Sequence, residues 1–298
     1  MRVTLEPSRL RTRALLALAC GSVAIVLVGE AGSAGAQQTG SSTPGVAAAS
    51  DSGETEDQKL AKQLANPVAS LISVPFQFNY DQGLNPLDTG KRVTLNIQPV
   101  VPFSLNADWN LIPRTILPVT WSDDALVDSG RIFGTGDTLQ SLFLSPAKPW
   151  NGIIWGAGPV FLLPTGSSDI YSVHQWGAGP TVVVLKQTGP WTVGALVNHI
   201  WSFADTGAPS PTVNSTYLQP FVSYTTADAW TFTLNSESTY DWHGKTWQVP
   251  LNAMVSKVVK IGPQRVSFAV GARYYATSPD PAAKGWGARF AVTFLFPK

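Results

Sequence analysis

From residue 69 to the end of the chain, apolar and polar residues alternate one by one, and this period of two predicts half-buried β-strands rather than helices. In Arg92 to Phe103, Val93, Leu95, Ile97, Val101 and Phe103 share one face, while Arg92, Thr94, Asn96 and Gln98 share the other. Residues 230 to 241 set Trp230, Phe232 and Leu234 against Thr231, Thr233, Asn235 and Glu237. Residues 265 to 276 set Val266, Phe268, Val270, Ala272 and Tyr274 against Arg265, Ser267, Gly271 and Arg273. The last segment, 286 to 297, sets Phe290, Val292, Phe294 and Phe296 against Arg289, Ala291 and Thr293.

Repeated along the chain, the pattern predicts twelve strands, at about 69–80, 91–103, 108–121, 137–146, 151–163, 174–187, 190–203, 215–226, 229–241, 246–261, 264–276 and 285–297. Their connections alternate strictly. Short ones, such as Thr188-Gly189, Ala227-Asp228 and Gly262-Pro263, follow the even strands, and long Gly/Pro/Asp/Ser-rich ones, such as 122–136, 164–173, 204–214 and 277–284, follow the odd ones. Tight turns at one end and larger loops at the other are the organisation of an all-β, antiparallel up-and-down barrel of an outer membrane. Trp109, Trp150, Trp191 and Trp230 each sit beside a short turn, at spacings of 41, 41 and 39 residues, and suit a belt of indoles at the periplasmic interface. Trp121, Trp201, Trp242 and Trp286 suit a second belt at the other ends of the strands.

Eight prolines run against the pattern. Pro99, Pro102, Pro113, Pro118, Pro159, Pro180, Pro220 and Pro250 fall inside the proposed strands, where each removes a ladder donor. They require bulges or bends, and the repeated Trp-Gly-Ala-Gly-Pro at 155–159 and 176–180 reads as one such bend on neighbouring strands.

The N-terminus reads as an export signal. Arg2, Arg9, Arg11 and Arg13 precede an apolar core from Leu15 to Val28, and Ala34-Gly35-Ala36 supplies the small residues of a cleavage site, with the cut after Ala36. Removal of residues 1–36 takes the only cysteine, Cys20, and with it any disulfide framework. Residues 37–68 read as a flexible linker holding a short helix near 57–65, stopped by Asn66-Pro67. That helix suits either a plug or a spacer before the first strand, and the spacer is favoured. The barrel domain then occupies 69–298, and the protein is expected in the outer membrane, in contact with its lipid, lipopolysaccharide and assembly machinery. Charged residues are 13% of the chain, about half the usual share of soluble proteins. A net charge of +1 without a basic cluster in the body argues against a nucleic-acid partner.

The run from Leu60 to Asp81, LAKQLANPVASLISVPFQFNYD, together with Asn110-Leu111-Ile112-Pro113-Arg114 and the aromatic C-terminus, resembles an outer-membrane protein family linked by name to meta-pathway phenol degradation. Members are often labelled "transporter" or "neuromedin U". The resemblance spans nearly all of residues 60–298 and implies an outer-membrane location and passage of small, in part aromatic, molecules. The C-terminus departs from the usual barrel-assembly signal by ending in Pro297-Lys298.

Chemistry in the chain is sparse. His174, His199 and His243 are scattered without metal spacing, and no cofactor or metal is expected. Ser202 lies three residues from His199, but that spacing on a strand points the two side chains to opposite faces, against a hydrolase. Asp123, Asp124 and Asp128 read as a solvated acidic loop. Alternation instead turns Arg92, Asn96, Gln98, Arg114, Glu237, Arg265, Arg273 and Arg289 into the lumen. Inward arginines set anion selectivity in a narrow pore, or pair with acids and close it. The expected function is a passive channel for small, aromatic or anionic solutes. The alternatives are a structural or adhesive barrel acting through its outer loops and, less favoured, a lipid hydrolase.

Overall fold

The computed structural model describes residues 54–207 and 210–297. The export signal with its cut after Ala36, Cys20 and the linker to residue 53 lie outside these residues.

Among the described residues one helix precedes the sheet, α1 (Glu56–Leu64). Fifteen strand segments follow. The first half holds β1 (Ile72–Leu84), β2 (Gly90–Ile97), β3 (Phe103–Ser104), β4 (Trp109–Asp123), β5 (Arg131–Thr135), β6 (Thr138–Pro146) and β7 (Ile153–Leu163). The second holds β8 (Gln175–Thr188), β9 (Trp191–Asp205), β10 (Asn214–Thr225), β11 (Trp230–Ser236), β12 (Ser238–Asp241), β13 (Thr246–Ile261), β14 (Gln264–Thr277) and β15 (Gly285–Phe296). β2 with β3, β5 with β6 and β11 with β12 continue one another along the same line, so the segments make twelve staves, as the alternation predicts. Every pairing is antiparallel, and β1 pairs with β15, from Ile72 opposite Phe296 to Tyr80 opposite Ala288. The sheet is therefore a closed barrel, which leaves no edge strand unpaired.

The prolines sit where the ladder gives way. Pro99 and Pro102 fill the gap between β2 and β3, and Pro250 lies at a register shift between β13 and β14. The two Trp-Gly-Ala-Gly-Pro runs lie on β7 and β8, with Pro159 directly opposite Pro180. On their outer sides, the pairing of β7 with β6 lapses between Ala157 and Val160, and that of β8 with β9 lapses between Ala178 and Thr181. A Cβ on Gly158 would run into the Leu142 carbonyl, and one on Gly179 into the His199 carbonyl, so glycine permits this close approach of backbones. Pro113, Pro118 and Pro220 keep their strand register.

Side chains divide by parity. Outward positions carry exposed apolar groups such as Val182, Val184, Phe232, Leu234, Val270 and Phe290. Inward positions are buried, and they differ around the ring. On β6 to β9 and at Ile112 of β4 apolar side chains gather into clusters, beside inward polar ones such as Arg114, Thr120, Thr181 and Asn198: Ile112, Phe143, Val183, Leu185 and Leu196 form one cluster with Val68, and Leu139, Val160, Leu162 and Ile200 form another with Val213. On β11, β13 to β15, β1 and β2 they are largely polar and charged. At the long-loop end the connection after β7 is tied to the turn before β6, where buried Asp137 accepts from Ser172 Oγ at 2.7 Å, Val173 N at 2.7 Å and Gly166 N at 3.0 Å. At the other end α1 lies inside the barrel mouth. Its buried face of Leu60, Ala61 and Leu64 packs on inward Met254, Val258, Ala269, Ala291 and Leu295. The segment expected as a spacer is thus an internal fitting of the barrel.

Candidate functional site: the barrel lumen

Strand register builds a charged cluster on the polar half of the lumen. Arg289 stands opposite Asn79 on β1 and opposite Gly271 on β14, and Arg273 stands opposite Asn252 on β13. From there, Arg289 Nη1 donates to Glu237 Oε1 and Nη2 to Glu237 Oε2, both at 2.7 Å, while its Nε donates to Asn79 Oδ1 at 2.6 Å. Arg273 Nη2 donates to Glu237 Oε2 at 2.5 Å, Nη1 to Asp81 Oδ1 at 3.3 Å, and Nε to Asn252 Oδ1 at 3.0 Å. Arg92 Nη2 donates to Asp81 Oδ2 at 2.9 Å, and the Tyr275 hydroxyl donates to Asp81 Oδ1 at 2.8 Å. Two carboxylates are shared among three guanidinium groups, so the cluster keeps one positive charge. Arg289 and Glu237 are 1% and 2% exposed, so both ions depend on each other and not on water.

Arg114 stands apart from this cluster. Its Nη2 donates to Gln98 Oε1 at 3.1 Å, on the wall that faces the C-terminal end of α1. Asn96 is buried on the same inward row. Arg265 is further away again, at the mouth, where Nε donates to Asp57 Oδ1 at 2.8 Å and Nη2 to Glu56 Oε2 at 2.5 Å. The eight residues singled out by alternation therefore all point inward, but to three places. The sequence reading also missed three members of the cluster, Asp81, Tyr275 and Asn252. A strand ending at residue 80 leaves Asp81 in a loop, whereas β1 runs on to Leu84; Tyr275 shares the parity of Arg273 and went unnoticed.

Trp109, Trp150, Trp191 and Trp230 all lie at the short-turn end. Trp150 and Trp191 are 67% and 50% exposed, Trp191 packs on Tyr224 at 4.9 Å, and Lys257 Nζ lies 4.8 Å over Trp230. His199 faces outward, 4.0 Å from the Trp201 ring, with Nδ1 bonded to Thr216 Oγ1 at 2.7 Å. Ser202 Oγ instead accepts from Val213 N at 2.9 Å, so these two residues make no nucleophile–base pair. In the acidic loop, Asp124 Oδ1 accepts from Gly130 N at 3.0 Å, and no metal-binding group of His, Cys, Asp and Glu occurs among the described residues.

No protein-family model and no curated protein sequence matches the chain. Solved structures do. An outer-membrane channel from Pseudomonas putida F1 superposes with a TM-score of 0.60 at 14% identity, over 76% of this chain and 96% of that one. This is the fold of an outer-membrane barrel. The NanC porin (TM-score 0.44, 12% identity, over 76% and 100%) and outer-membrane phospholipase A from Escherichia coli (0.43, 14%, over 77% and 99%) overlap less well. At such identities the likeness speaks for the barrel alone. The lumen described above, with its shared carboxylates and its seated helix, is read from this chain's own residues.

Proposed function

We propose that the chain is a passive outer-membrane channel for small molecules, with a preference for anions. The observation that carries this reading is the lumen cluster, in which three arginines outnumber two carboxylates inside a closed barrel. A wall with an excess cation lowers the cost of bringing an anion into a narrow pore. Buried polar atoms in the same lumen, Gln77 Oε1, Arg92 Nε, Gln98 Nε2 and Thr293 Oγ1, have no protein partner and suit a path that is wetted or occupied in use. The outward apolar band and the four tryptophans at the short-turn end support insertion in the outer membrane with that end at the periplasmic interface, against lipid and lipopolysaccharide. Export by a cleaved signal and delivery by the barrel-assembly machinery belong to the same reading, as does a link to uptake of phenol-like compounds.

Single-channel recording of the refolded protein in a planar bilayer, with reversal potentials in a salt gradient, tests it. Discrete steps with a reversal potential on the anion side are expected. Arg273→Ala, which leaves two guanidiniums against two carboxylates, should move that potential toward zero, and Arg114→Ala should act in the same direction. Insertion without conductance would remove the channel reading and turn attention to a surface role of the outer loops.

A further inference from the structure

On the outside of the barrel, at the long-loop end, two rows of side chains cross β1, β2, β4 and β5. Register puts Tyr80 opposite Val93, Val93 opposite Trp121 and Trp121 opposite Phe133, so the row nearer the membrane centre is apolar and aromatic. The Trp121 and Phe133 rings lie 5.3 Å apart, and both are exposed. One outward-facing step nearer the loops, Lys91 stands opposite Asp123 and Asp123 opposite Arg131, all three exposed. The rows border a groove of about 280 Å³. Arg92 also borders it but turns its guanidinium inward to Asp81. Among the described residues, Asp123 is the only carboxylate in the lining, and neither Lys91 nor Arg131 forms an ion pair. The other cations outside the lumen at this end differ. Lys284 is held by Asp88 at 2.8 Å and Asp280 at 2.5 Å, and Lys245 lies in the turn between β12 and β13.

Resting on the reading above that places the long loops at the outer face, we propose that this groove binds a phosphorylated, acylated glycolipid of the outer leaflet, the lipid A part of lipopolysaccharide. Its phosphate lies between Lys91 and Arg131, and an acyl chain runs over Trp121 and Phe133. The depths match. Two residues of strand separate the rows by about 7 Å, so the cations stand at headgroup level when the rings stand among the first methylenes. Across the sheet, two strand spacings set the Lys91 and Arg131 backbones about 10 Å apart, and both long side chains can converge on one phosphate past the shorter Asp123. Two cations against one carboxylate leave one positive charge, which favours an anionic headgroup over a zwitterionic one. A phosphate monoester, with close to two negative charges, engages both cations through charge-assisted bonds, where the diester of an ordinary phospholipid brings one charge.

Native mass spectrometry of the refolded protein in detergent, with divalent cations chelated and lipid A as the probe, tests the assignment. The wild type should retain one lipid A, and lipid A stripped of its phosphates should bind at least tenfold more weakly. Combining Lys91→Ala with Arg131→Ala should cost at least tenfold in affinity. Combining Lys186→Ala with Lys257→Ala, which removes two outward cations at the short-turn end, should change nothing. Asp123→Asn should tighten binding, because it removes the opposing charge, and an equal amount of phosphatidylglycerol should leave lipid A in place. Four results would overturn the site: full binding without the phosphates or without Lys91 and Arg131, an equal loss in the short-turn control, weaker binding by Asp123→Asn, or displacement by phosphatidylglycerol. Lys91 and Arg131 face away from the lumen, so their double variant should conduct as the wild type does. A barrel that conducts without holding lipid A removes this site alone, and one that holds lipid A without conducting removes the channel alone.

Discussion

Glu237 is the residue on which the lumen cluster turns. It accepts from Arg289 through both oxygens and from Arg273 through one, with no help from solvent. Removing one partner of such a buried group leaves an uncompensated charge, at a cost of about 3–5 kcal/mol. Glu237→Ala should therefore lower the unfolding midpoint in guanidinium, followed by the shift of the folded band on unboiled gels, far more than Glu56→Ala at the half-exposed mouth. Parity alone places Glu237, Arg273 and Arg289 inward, and the sheet agrees. Their partnership was not readable in the same way. The pairs are 36 and 52 residues apart, and only the register of intervening strands brings them together. Asp81 illustrates the other limit, because a strand end misjudged by four residues hides a group that the alternation already orients.

At the scale of the element, α1 shows how a polar composition conceals a docked helix. Thr55 caps it by accepting from Gln58 N at 3.2 Å, and the acids of the first turn meet Arg265. Gln187 Nε2 donates to the Lys62 carbonyl at 2.9 Å from the far wall. The helix itself is legible from Leu60 and Leu64 on one face and Asn66-Pro67 beyond its end. Its seat is not, because a nine-residue amphipathic helix has the same pattern whether it covers a core or a pore. Magnitudes indicate what holds it. Ion pairs exposed at the mouth contribute about 0–1 kcal/mol, whereas burial of a leucine side chain contributes about 1.5–3 kcal/mol. Arg265→Ala should accordingly give a small, salt-sensitive rise in conductance. Leu60→Asp should release the helix, with a larger rise and new proteolytic cleavage between residues 54 and 68.

For the whole molecule, the sequence pattern conveys the barrel well because one physical demand, apolar side chains toward lipid, repeats at every second residue. Strand number, connection lengths and closure all follow from it. The interior obeys no such single demand. Apolar clusters gather on β6 to β9 while the wall from β11 round to β2 is largely polar and charged, and a period of two does not distinguish an inward valine from an outward one. That ambiguity is sharpest at Val183 and Leu185, buried inside, beside Val182 and Val184, exposed outside. The assignment of faces predicts opposite outcomes for a charge. Val270→Arg, on the outward face, should cost about 2–4 kcal/mol of folding stability in lipid vesicles if it lies near the midplane. Ser223→Arg, on the inward wall, should leave insertion intact and instead change conductance.

Closure between β1 and β15 has a consequence for the order of assembly. Asp81 and Asn79 belong to the first stave, while the arginines that contact them at 3.3 and 2.6 Å lie 192 and 210 residues later. Before the seam zips, Arg289 has Glu237 but lacks its bond to Asn79, and Asp81 keeps Arg92 but lacks Arg273 and Tyr275. The last hydrogen-bonded ladder and the last electrostatic contacts are therefore completed in one event. A sheet that curls but does not meet carries both defects together, which makes the finished ring distinct from every almost-finished one.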